Sequence, residues 1–290
     1  MKLNGILKPL FFLIPFACGC SKTTHISKTE VDPPAKTGVR LIADGPGYTY
    51  ELIDSVLGGS ATEDPDCAHP LFGRHVREEY DNELKRNVFV FTMHVTPDND
   101  RCNGSTDRQR NEIKTYGPSA DNVKGQKTET VTYRWKFKLD GGFQPSPSFT
   151  HIHQVKAGDG TNEGAPLITI TPRAGSPEKL EIIHTGNTIS TTLGKVLAVD
   201  LAPFKGTWVE VIETLTYETT GKYAIKIYRV SDGALLLSYS NTNIDLWREG
   251  ATFCRPKWGI YRSLNNVSYL RDEEVKFADF CIAESGTVCN

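Results

Sequence analysis

The sequence lacks a charge excess of either sign, and it lacks pronounced helical periodicity. Its 33 Lys and Arg residues nearly balance 35 Asp and Glu residues, which leaves a formal net charge of −2. The basic side chains are scattered along the chain, so its composition argues against a nucleic-acid-binding protein. Beyond roughly the first 25 residues, no apolar run is long enough to cross a membrane. A chain of 290 residues with this composition predicts one large domain.

The first residues predict export. A basic start precedes an apolar run at 9–17, which is too short for a membrane-spanning helix. Small residues then lead into Cys20, a pattern that resembles a bacterial lipoprotein signal. Cys18 is an alternative lipidation site, and an ordinary secretory signal is an alternative interpretation.

These features divide the chain into three parts. We interpret 1–20 as a lipoprotein-type signal peptide, 21–39 as a polar tether, and 40–290 as the folded domain. We expect the protein to be secreted, or held at the cell surface or outer membrane. Its membrane contact would be confined to the N-terminal lipid.

The cysteines beyond the signal are few, and they lack a Cys-x-x-Cys pair, so their spacing does not indicate zinc. An exported protein can keep disulfides. Cys67 and Cys102 flank a predicted strand at 88–95, and we expect them to pair. Cys281 has two alternative partners, Cys254 and Cys289, and one thiol stays free.

Alternation of apolar and polar residues predicts an all-β fold. It runs without a break through 131–139, and Asp-Gly-Gly then ends that strand. Residues 78–85 are the best candidate for a short helix or helical turn. About a dozen strands in one unit predict a jelly-roll sandwich of two antiparallel sheets. The further predicted strands are 110–116, 148–157, 167–172, 179–184, 207–217, 222–230, 234–240, 252–262 and 274–283.

Residues 108–114, Arg-Gln-Arg-Asn-Glu-Ile-Lys, place charged side chains on one face of a strand. Arg108, Arg110, Glu112 and Lys114 share that face. One interpretation is a solvated outer face with paired charges. The other is a binding surface for a polyanion, on which Glu112 orients arginines that grip carboxylate or sulfate at two points.

Residues 151–156, His-Ile-His-Gln-Val-Lys, concentrate polar side chains in another predicted strand. In a regular strand His151 and His153 face one way, and Gln154 and Lys156 face the other. A bulge near 153–154 would change this arrangement. The alternatives are core histidines or a metal site, for which the sequence shows no third ligand.

Residues 257–262, Lys-Trp-Gly-Ile-Tyr-Arg, form the third string. Lys257, Gly259 and Tyr261 share one face, and Arg262 lies on the other. We interpret Gly259 as a gap through which a ligand approaches the sheet. A core tyrosine with a satisfied hydroxyl is the alternative interpretation.

These strings carry a resemblance. Residues 257–261 resemble the Lys-Ala-Gly-x-Tyr string of jelly-roll alginate lyases, whose tyrosine is the catalytic acid and base. Residues 110–114 are similar to the Arg-x-Glu-Leu-Arg string of that group, and 151–153 occupy the place of Gln-Ile-His. The span from about 40 to 284 resembles the concanavalin-like polysaccharide lyases: first the ulvan lyases, then the glucuronan lyases, and more distantly the heparin lyase I group. Departures at 114, 151 and 258 point away from alginate itself.

The resemblance implies β-elimination of an acidic, 4-linked uronate polysaccharide, with ulvan as the expected substrate and no cofactor for the chemistry. Negative charge grows on the carboxylate as the C5 proton leaves, so donors must be aimed there. In glucuronate that proton and O4 lie on the same side of the ring, so one tyrosine, or a tyrosine with a neighbouring lysine, can serve both. We predict Tyr261 and Lys156 as catalytic residues, with the pKa of Lys156 lowered by burial or adjacent cations. The predicted substrate-binding residues are Arg110, His151, His153, Gln154, Lys257 and Arg262, with Arg262 or Lys114 available for sulfate.

The resemblance also implies a structural calcium ion, for which Asp44 and Asp279 are the candidate ligands, although no calcium-loop motif is present. We expect a monomer whose partner is an acidic, sulfated polysaccharide. Two alternatives share the fold: a glucuronan lyase, and a non-catalytic glycan-binding surface lipoprotein. A glycoside hydrolase is disfavoured because the sequence shows no Glu-x-Asp-x-x-Glu-like pair of carboxylates.

Overall fold

A computed structural model describes residue 1 and residues 36–289. The expected signal peptide, most of the tether and Cys20 lie outside the described residues. The strands begin at Lys36, slightly before the domain boundary expected at residue 40. Within 36–289 no helix is long and apolar enough to cross a membrane.

The described chain is almost entirely β-structure. It has one α-helix, α1 (Thr49–Leu57), and short 3₁₀ turns at Asp66–Ala68, Asp121–Val123, Ile189–Thr191, Ala202–Phe204 and Val267–Tyr269. The strands are β1 (Lys36–Thr37), β2 (Val39–Leu41), β3 (Thr62–Glu63), β4 (Val76–Asp81), β5 (Arg86–Met93), β6 (Arg108–Lys114), β7 (Thr130–Leu139), β8 (Thr150–Ala157), β9 (Ile168–Arg173), β10 (Lys179–His184), β11 (Gly194–Asp200), β12 (Val209–Thr216), β13 (Gly221–Arg229), β14 (Leu235–Ile244), β15 (Cys254–Ser263), β16 (Glu273–Glu284) and β17 (Thr287–Val288).

Two large sheets pack face to face. One has the order β11-β10-β9-β8-β15-β6-β3, and the other has the order β14-β13-β12-β7-β16-β5-β4, with β2 added beside β16. All strand pairs in these two sheets are antiparallel, as predicted. A separate parallel pair joins β1 to β17. The architecture is the jelly-roll sandwich expected from the sequence.

The alternating strand β7 shows why the sheets pack. Its odd-numbered residues from Val131 to Leu139 are fully buried, while the even-numbered side chains stay half-exposed. Burial of each large apolar side chain stabilises the fold by roughly 1.5–3 kcal/mol. Trp135 on this strand and Trp258 on β15 belong to the same core, which lies between the sheets.

The helix predicted at 78–85 is wrong, and only 82–85 form a turn. Residues 76–81 form β4 instead, which pairs with β5 through a tight turn. Val76 and Glu78 point inward and Arg77 points outward, which is the alternation of a strand. Glu78 is buried and accepts a hydrogen bond from the backbone N–H of Gly45 at 2.7 Å, so a charged sequence that looks helical is held extended.

The disulfide Cys67–Cys102 is present as predicted, with its Cα atoms 6.3 Å apart. Of the two alternatives for Cys281, the structure has Cys281–Cys289. Cys254 is the free, buried cysteine among the described residues.

Candidate functional site

The candidate site is built on three adjacent strands, β6, β15 and β8. On β6, Arg108, Arg110, Glu112 and Lys114 point away from the sandwich core, while Ile113 belongs to the core. The register pairs Tyr261 with Arg110, Gly259 with Glu112, and Lys257 with Lys114. We call this outward side of β6, β15 and β8 the charged face; it combines the strings at 108–114 and 257–262 as the sequence predicted.

Tyr261 is held by two arginines. The Nη1 atom of Arg108 donates to its hydroxyl at 2.8 Å. The guanidinium carbon of Arg110 lies 3.6 Å from the centre of the phenol ring. One guanidinium thus hydrogen-bonds to the phenol oxygen and a second stacks on the ring, which fixes the position of the Tyr261 side chain.

A register shift decides which histidine reaches Tyr261. Between β15 and β8, His153 pairs with Trp258 and His151 pairs with Tyr261, so two residues of β15 oppose one of β8. His151 therefore lies beside Tyr261, with the ring centres 5.8 Å apart. The sequence predicted that the two histidines and the Gln154–Lys156 pair could share a face only across a bulge, and the shift places His151, Gln154 and Lys156 together.

His153 is not a substrate-binding residue. It is fully buried between the sheets, where its Nε2 atom lies 2.7 Å from Glu213 on β12. Its ring packs between Trp135 and Trp258, at centre distances of 5.2 and 5.5 Å. The register shift turns this imidazole inward, which corrects the prediction.

His151 is a neutral imidazole of defined tautomer. Its Nδ1 atom lies 2.7 Å from the hydroxyl of Thr171, and that hydroxyl donates to Thr169 at 3.0 Å. Nδ1 therefore carries the proton and donates, which leaves the Nε2 lone pair free. Burial lowers the pKa of His151 to about 3, with the cations Arg173 and Arg110 adding to the effect. So weak a base can accept a hydrogen bond from a ligand hydroxyl, but it is poorly suited to remove a carbon-bound proton.

Beneath Tyr261 lies a buried ionic network. Arg110 donates to Glu112 at 2.6 Å and to Asp100 at 2.9 Å. Lys257 lies 2.6 Å from the same Glu112 oxygen and also pairs with Glu63. Because Lys257 is 2% exposed and has two carboxylate partners, it supports the face from below and does not bind substrate, contrary to the prediction.

The network keeps its carboxylates ionised. Burial alone would raise the pKa of Glu112, but Lys257 and Arg110 outweigh burial, so the net shift is downward. The amide of Gln154 donates to the other Glu112 oxygen. Gln154 is 1% exposed, so it also acts as a support and does not contact substrate directly.

A loop and a short strand complete this network. Arg101 bridges Asp100 and Glu63 at 2.7 and 3.0 Å, and Lys114 lies 2.7 Å from Glu63. The four cations Arg101, Arg110, Lys114 and Lys257 outnumber the three carboxylates Glu63, Asp100 and Glu112. The charged face therefore carries net positive charge, which suits a polyanion.

Lys156 lies at the other end of the charged face. It pairs with Arg255, six residues from Tyr261 along β15. At about 3.3 Å per residue, the Cα atoms of Lys156 and Tyr261 lie about 20 Å apart along the strands. Burial, together with Lys257 and Arg255, lowers the pKa of Lys156 to about 8.

Lys156 and Arg255 are cations that have no carboxylate partner in the part of the chain that the structure describes. Within 36–289, the hydrogen bonds of their side chains go to the backbone oxygens of Gly164 and Thr115, at 3.3 and 3.2 Å. Neither forms an ion pair there, unlike Arg110 and Lys257. The two adjacent cations therefore add positive charge to this end of the charged face.

Arg262 does not belong to the charged face. It is fully buried on the inner side of β15, where it donates to Gln109 at 3.0 Å and to the backbone oxygen of Arg271 at 2.8 Å. Its predicted role in binding substrate or sulfate is therefore wrong. The alternation of side chains along β15 already placed Arg262 on the other face of the strand from Tyr261.

Gly259 has a different role from the one predicted. Its φ is +147°, and a Cβ atom there would lie 2.1 Å from the backbone oxygen of Asn111 on β6. The missing side chain lets two strands approach at the register shift; it does not open a gap above the sheet.

The two predicted calcium ligands do not form a site. Both oxygens of Asp279 are paired, with Arg86 and Lys136, each at 2.7 Å. Asp44 is exposed, and it belongs to no group of potential metal ligands within 36–289. These residues do not fit a calcium ion, which requires several free oxygen ligands.

Sequence reasoning missed several members of the site. Arg108 was placed on the same face of β6 as Arg110, but it was not chosen as a substrate-binding residue. Arg255 shares the alternation of β15 in the same way. Glu63 and Asp100 lie on a two-residue strand and in a loop, where no periodicity marks them.

Comparisons with known proteins support the fold. No protein-family model and no curated protein matches the sequence. Among solved structures, a marine alginate lyase from Aplysia kurodai is 11% identical, with a TM-score of 0.56, over 85% of this chain and 99% of that chain. An alginate lyase from Pseudomonas aeruginosa is 13% identical, with a TM-score of 0.50, over 78% and 97%. An endo-β-1,4-glucuronan lyase from Trichoderma reesei is 20% identical, with a TM-score of 0.49, over 73% and 87%.

Proposed function

We propose that the protein is a polysaccharide lyase that cleaves an acidic, 4-linked uronate polymer by β-elimination, with Tyr261 as base and acid. One observation carries the proposal: the Tyr261 hydroxyl accepts a hydrogen bond from Arg108 at 2.8 Å, while its ring lies against Arg110. The jelly-roll fold, which this chain shares with alginate lyases, is consistent with this function.

The chemistry follows from the surroundings of Tyr261. As a phenolate, it removes the C5 proton of the uronate, the electrons form the C4–C5 double bond, and the phenol then protonates the departing O4. One residue can do both when the proton and O4 lie on the same side of the ring, as in glucuronate. Arg108, whose side chain is 37% exposed, is placed to meet the carboxylate on which charge grows.

His151, Lys156 and Arg255 bind the rest of the polysaccharide. The free Nε2 atom of His151 accepts a sugar hydroxyl beside the reacting ring. Lys156 and Arg255, whose Cα atoms lie about 20 Å from that of Tyr261 along the strands, hold an anionic group on another sugar of the polymer. Lys156 is thus proposed as a binding residue instead of a catalytic one.

Lys156 and Arg255, which form no ion pair within 36–289, favour a sulfated polymer, and we propose ulvan as the substrate. Sulfate on the rhamnose of ulvan supplies anions in addition to the uronate carboxylates, and the planar guanidinium of Arg255 suits sulfate. Glucuronan is the second candidate, because it offers the same syn geometry and carries only carboxylates. We also propose that the protein is exported, a setting consistent with its two disulfides.

The test is to mix the purified protein separately with ulvan, glucuronan, heparin and alginate and to follow ultraviolet absorbance. Elimination creates a conjugated 4,5-unsaturated uronate, which hydrolysis cannot produce. A rise with ulvan supports the full proposal, and a rise with glucuronan alone moves the assignment to the second candidate. Binding without any rise would identify a non-catalytic glycan-binding protein.

A further inference from the structure

Three histidines and an aspartate converge outside the charged face. His69 follows the turn at 66–68, His75 precedes β4, His94 follows β5, and Asp98 lies in the next loop. One donor atom from each lies within 4.8 Å of the others. We call this group the histidine cluster. His75 and Asp98 are buried, while the side chains of His69 and His94 are 27% and 17% exposed.

The distances within the histidine cluster differ from those of ordinary ion-pair hydrogen bonds. Nδ1 of His69, Nε2 of His75 and Nδ1 of His94 lie 3.3, 3.2 and 3.1 Å from the oxygens of Asp98. Charge-assisted N–H···O bonds are usually about 2.7–2.9 Å long. Donor atoms around a tetrahedral metal with bonds of about 2.0 Å lie about 3.3 Å apart. The distances from His69 and His75 to Asp98 Oδ1 match the second geometry, and His94 lies beside Oδ2 of the same carboxylate.

His75 also forms a hydrogen bond outside the histidine cluster, and that bond has the ordinary length that the cluster distances exceed. Nδ1 of His75, which points away from the cluster, lies 2.8 Å from Asp66. That carboxylate fixes the His75 tautomer, with the proton on Nδ1, and leaves the Nε2 lone pair directed at the cluster. A carboxylate on the far nitrogen of a histidine is the usual support of a metal ligand.

The segments that carry the histidine cluster are anchored from two sides. The disulfide Cys67–Cys102 joins the segment before His69 to the segment after Asp98. The amide of Gln109 donates to the backbone oxygens of His94 and Asp98, each at 2.7 Å. The donor atoms are thus held in place by contacts that need no metal, as in a preorganised site.

We propose that the histidine cluster binds one zinc ion through His69, His75, His94 and Asp98. Imidazole nitrogens suit zinc, whereas calcium and magnesium require oxygen ligands. Four protein ligands fill a tetrahedral shell, which is typical of a structural site and not of a catalytic one. The ring of Phe72 lies 4.4 Å from that of His94 and 4.7 Å from that of His75, and covers one side of the cluster.

Zinc bound there would also position the charged face. Asp98 and Asp100 lie in the same loop, and Asp100 bonds to Arg110 at 2.9 Å. Gln109, which holds the loop, lies between Arg108 and Arg110 on β6. Zinc would fix the loop that contains Asp98 and Asp100 on one side of β6. Through Asp100, it would also fix the guanidinium of Arg110, which contacts Tyr261 on the other side.

The test measures metal and is independent of any lyase activity. The protein, purified without a histidine tag in metal-free buffer, is stripped with a chelator and titrated with zinc against a chromophoric competitor. Cobalt substitution then reports the coordination geometry through its visible absorption. We expect one equivalent of tight zinc, tetrahedral cobalt bands, and a rise in the melting temperature upon zinc addition.

The variants His69→Ala and His94→Ala remove partly exposed ligands, so they are expected to fold. Each should bind zinc at least about 100-fold more weakly, since even outer-shell losses cost 10–100-fold. Arg77→Ala is the control, because Arg77 follows the same segment but its guanidinium pairs with Glu79 and Glu274. Less than one equivalent of zinc in the parent protein, or unchanged affinity in both histidine variants, would overturn the proposal.

Discussion

The guanidinium carbon of Arg110 lies 3.6 Å from the centre of the Tyr261 ring, while the nitrogens of the same group are bonded to Asp100 and Glu112. The cation that stacks on the phenol is therefore fixed in place before any substrate arrives. Such preorganisation lowers the cost of forming charge during a reaction. Arg110 thus links the ionic network, which its nitrogens contact, to Tyr261, which the face of its guanidinium contacts.

Removing the hydroxyl of Tyr261 should abolish elimination while leaving the fold intact. Tyr261→Phe keeps the ring on Arg110, and we expect kcat to fall by about 10²–10⁴-fold because the base and acid are lost. Absorbance of the unsaturated product measures the rate, and calorimetry measures polymer binding, which should change little. Tyr80→Phe, at an exposed tyrosine on β4, is the control. Near-normal turnover in Tyr261→Phe would exclude Tyr261 as the catalytic group.

His151 should act through its hydrogen bond and not through its charge. Because the pKa of His151 is lowered to about 3, the imidazole stays neutral above pH 5. We expect His151→Gln, which still offers an acceptor, to keep activity within about 10-fold, and His151→Ala to lose more. The pH–rate profiles of the protein and of His151→Gln should have the same acid limb. An acid limb that disappears in His151→Gln would show that the imidazole titrates during catalysis.

Polymer binding should weaken as the pH rises through about 8, where Lys156 loses its proton. The sign follows from the charge: a neutral amine attracts an anionic sugar less than an ammonium does. Lys156→Arg remains charged throughout this range, so KM should rise between pH 7 and 9 in the parent protein and stay flat in the variant. Lys222→Arg, on an exposed position of β13, should behave as the parent does. If KM had the same pH dependence in all three proteins, Lys156 would not contribute to substrate binding.

Glu112→Gln should destabilise the protein strongly. The change leaves Lys257 and Arg110 buried with one carboxylate fewer, and breaking such a pair costs about 3–5 kcal/mol. Urea unfolding measures the free energy. Glu274→Gln removes a half-exposed partner of Arg77 and should cost at most about 1 kcal/mol. A similar small loss in Glu112→Gln would mean that the network contributes little to stability.

Much of the fold could be read from the sequence because side chains alternate along its strands. Val131 to Leu139 and Arg108 to Lys114 show this most clearly, and the structure confirms both patterns. The helix α1 was missed although Ile53 and Leu57 have helical spacing and Gly58 follows as a terminator. The charged residues of β4 have the local propensity of a helix. Their pairing with β5, which holds them extended, is not visible in the local sequence.

The site was predicted less completely, for reasons of geometry. Alternation assigns each residue of a regular strand to a face, but one register shift changed the assignment at His153. Whether Lys156 or the histidines share the charged face was left open by the sequence, because the answer depends on strand pairing. The histidine cluster comes from two segments, 69–75 and 94–98, which only the folded chain brings together, so no local pattern reveals it.

The two-sided construction of β6 limits which insertions and deletions the chain can tolerate. Arg108, Arg110 and Glu112 serve one side, while Gln109 and Asn111 hold backbone oxygens on the other, with Asn111 bonded to His75 and Thr92 at 2.9 Å. Adding or removing one residue inside 108–114 would exchange the sides, burying arginines and exposing the amides. A change of length at 103–106, outside the strand, leaves this order untouched. Homologous sequences should therefore vary in length before β6 and keep β6 itself free of gaps.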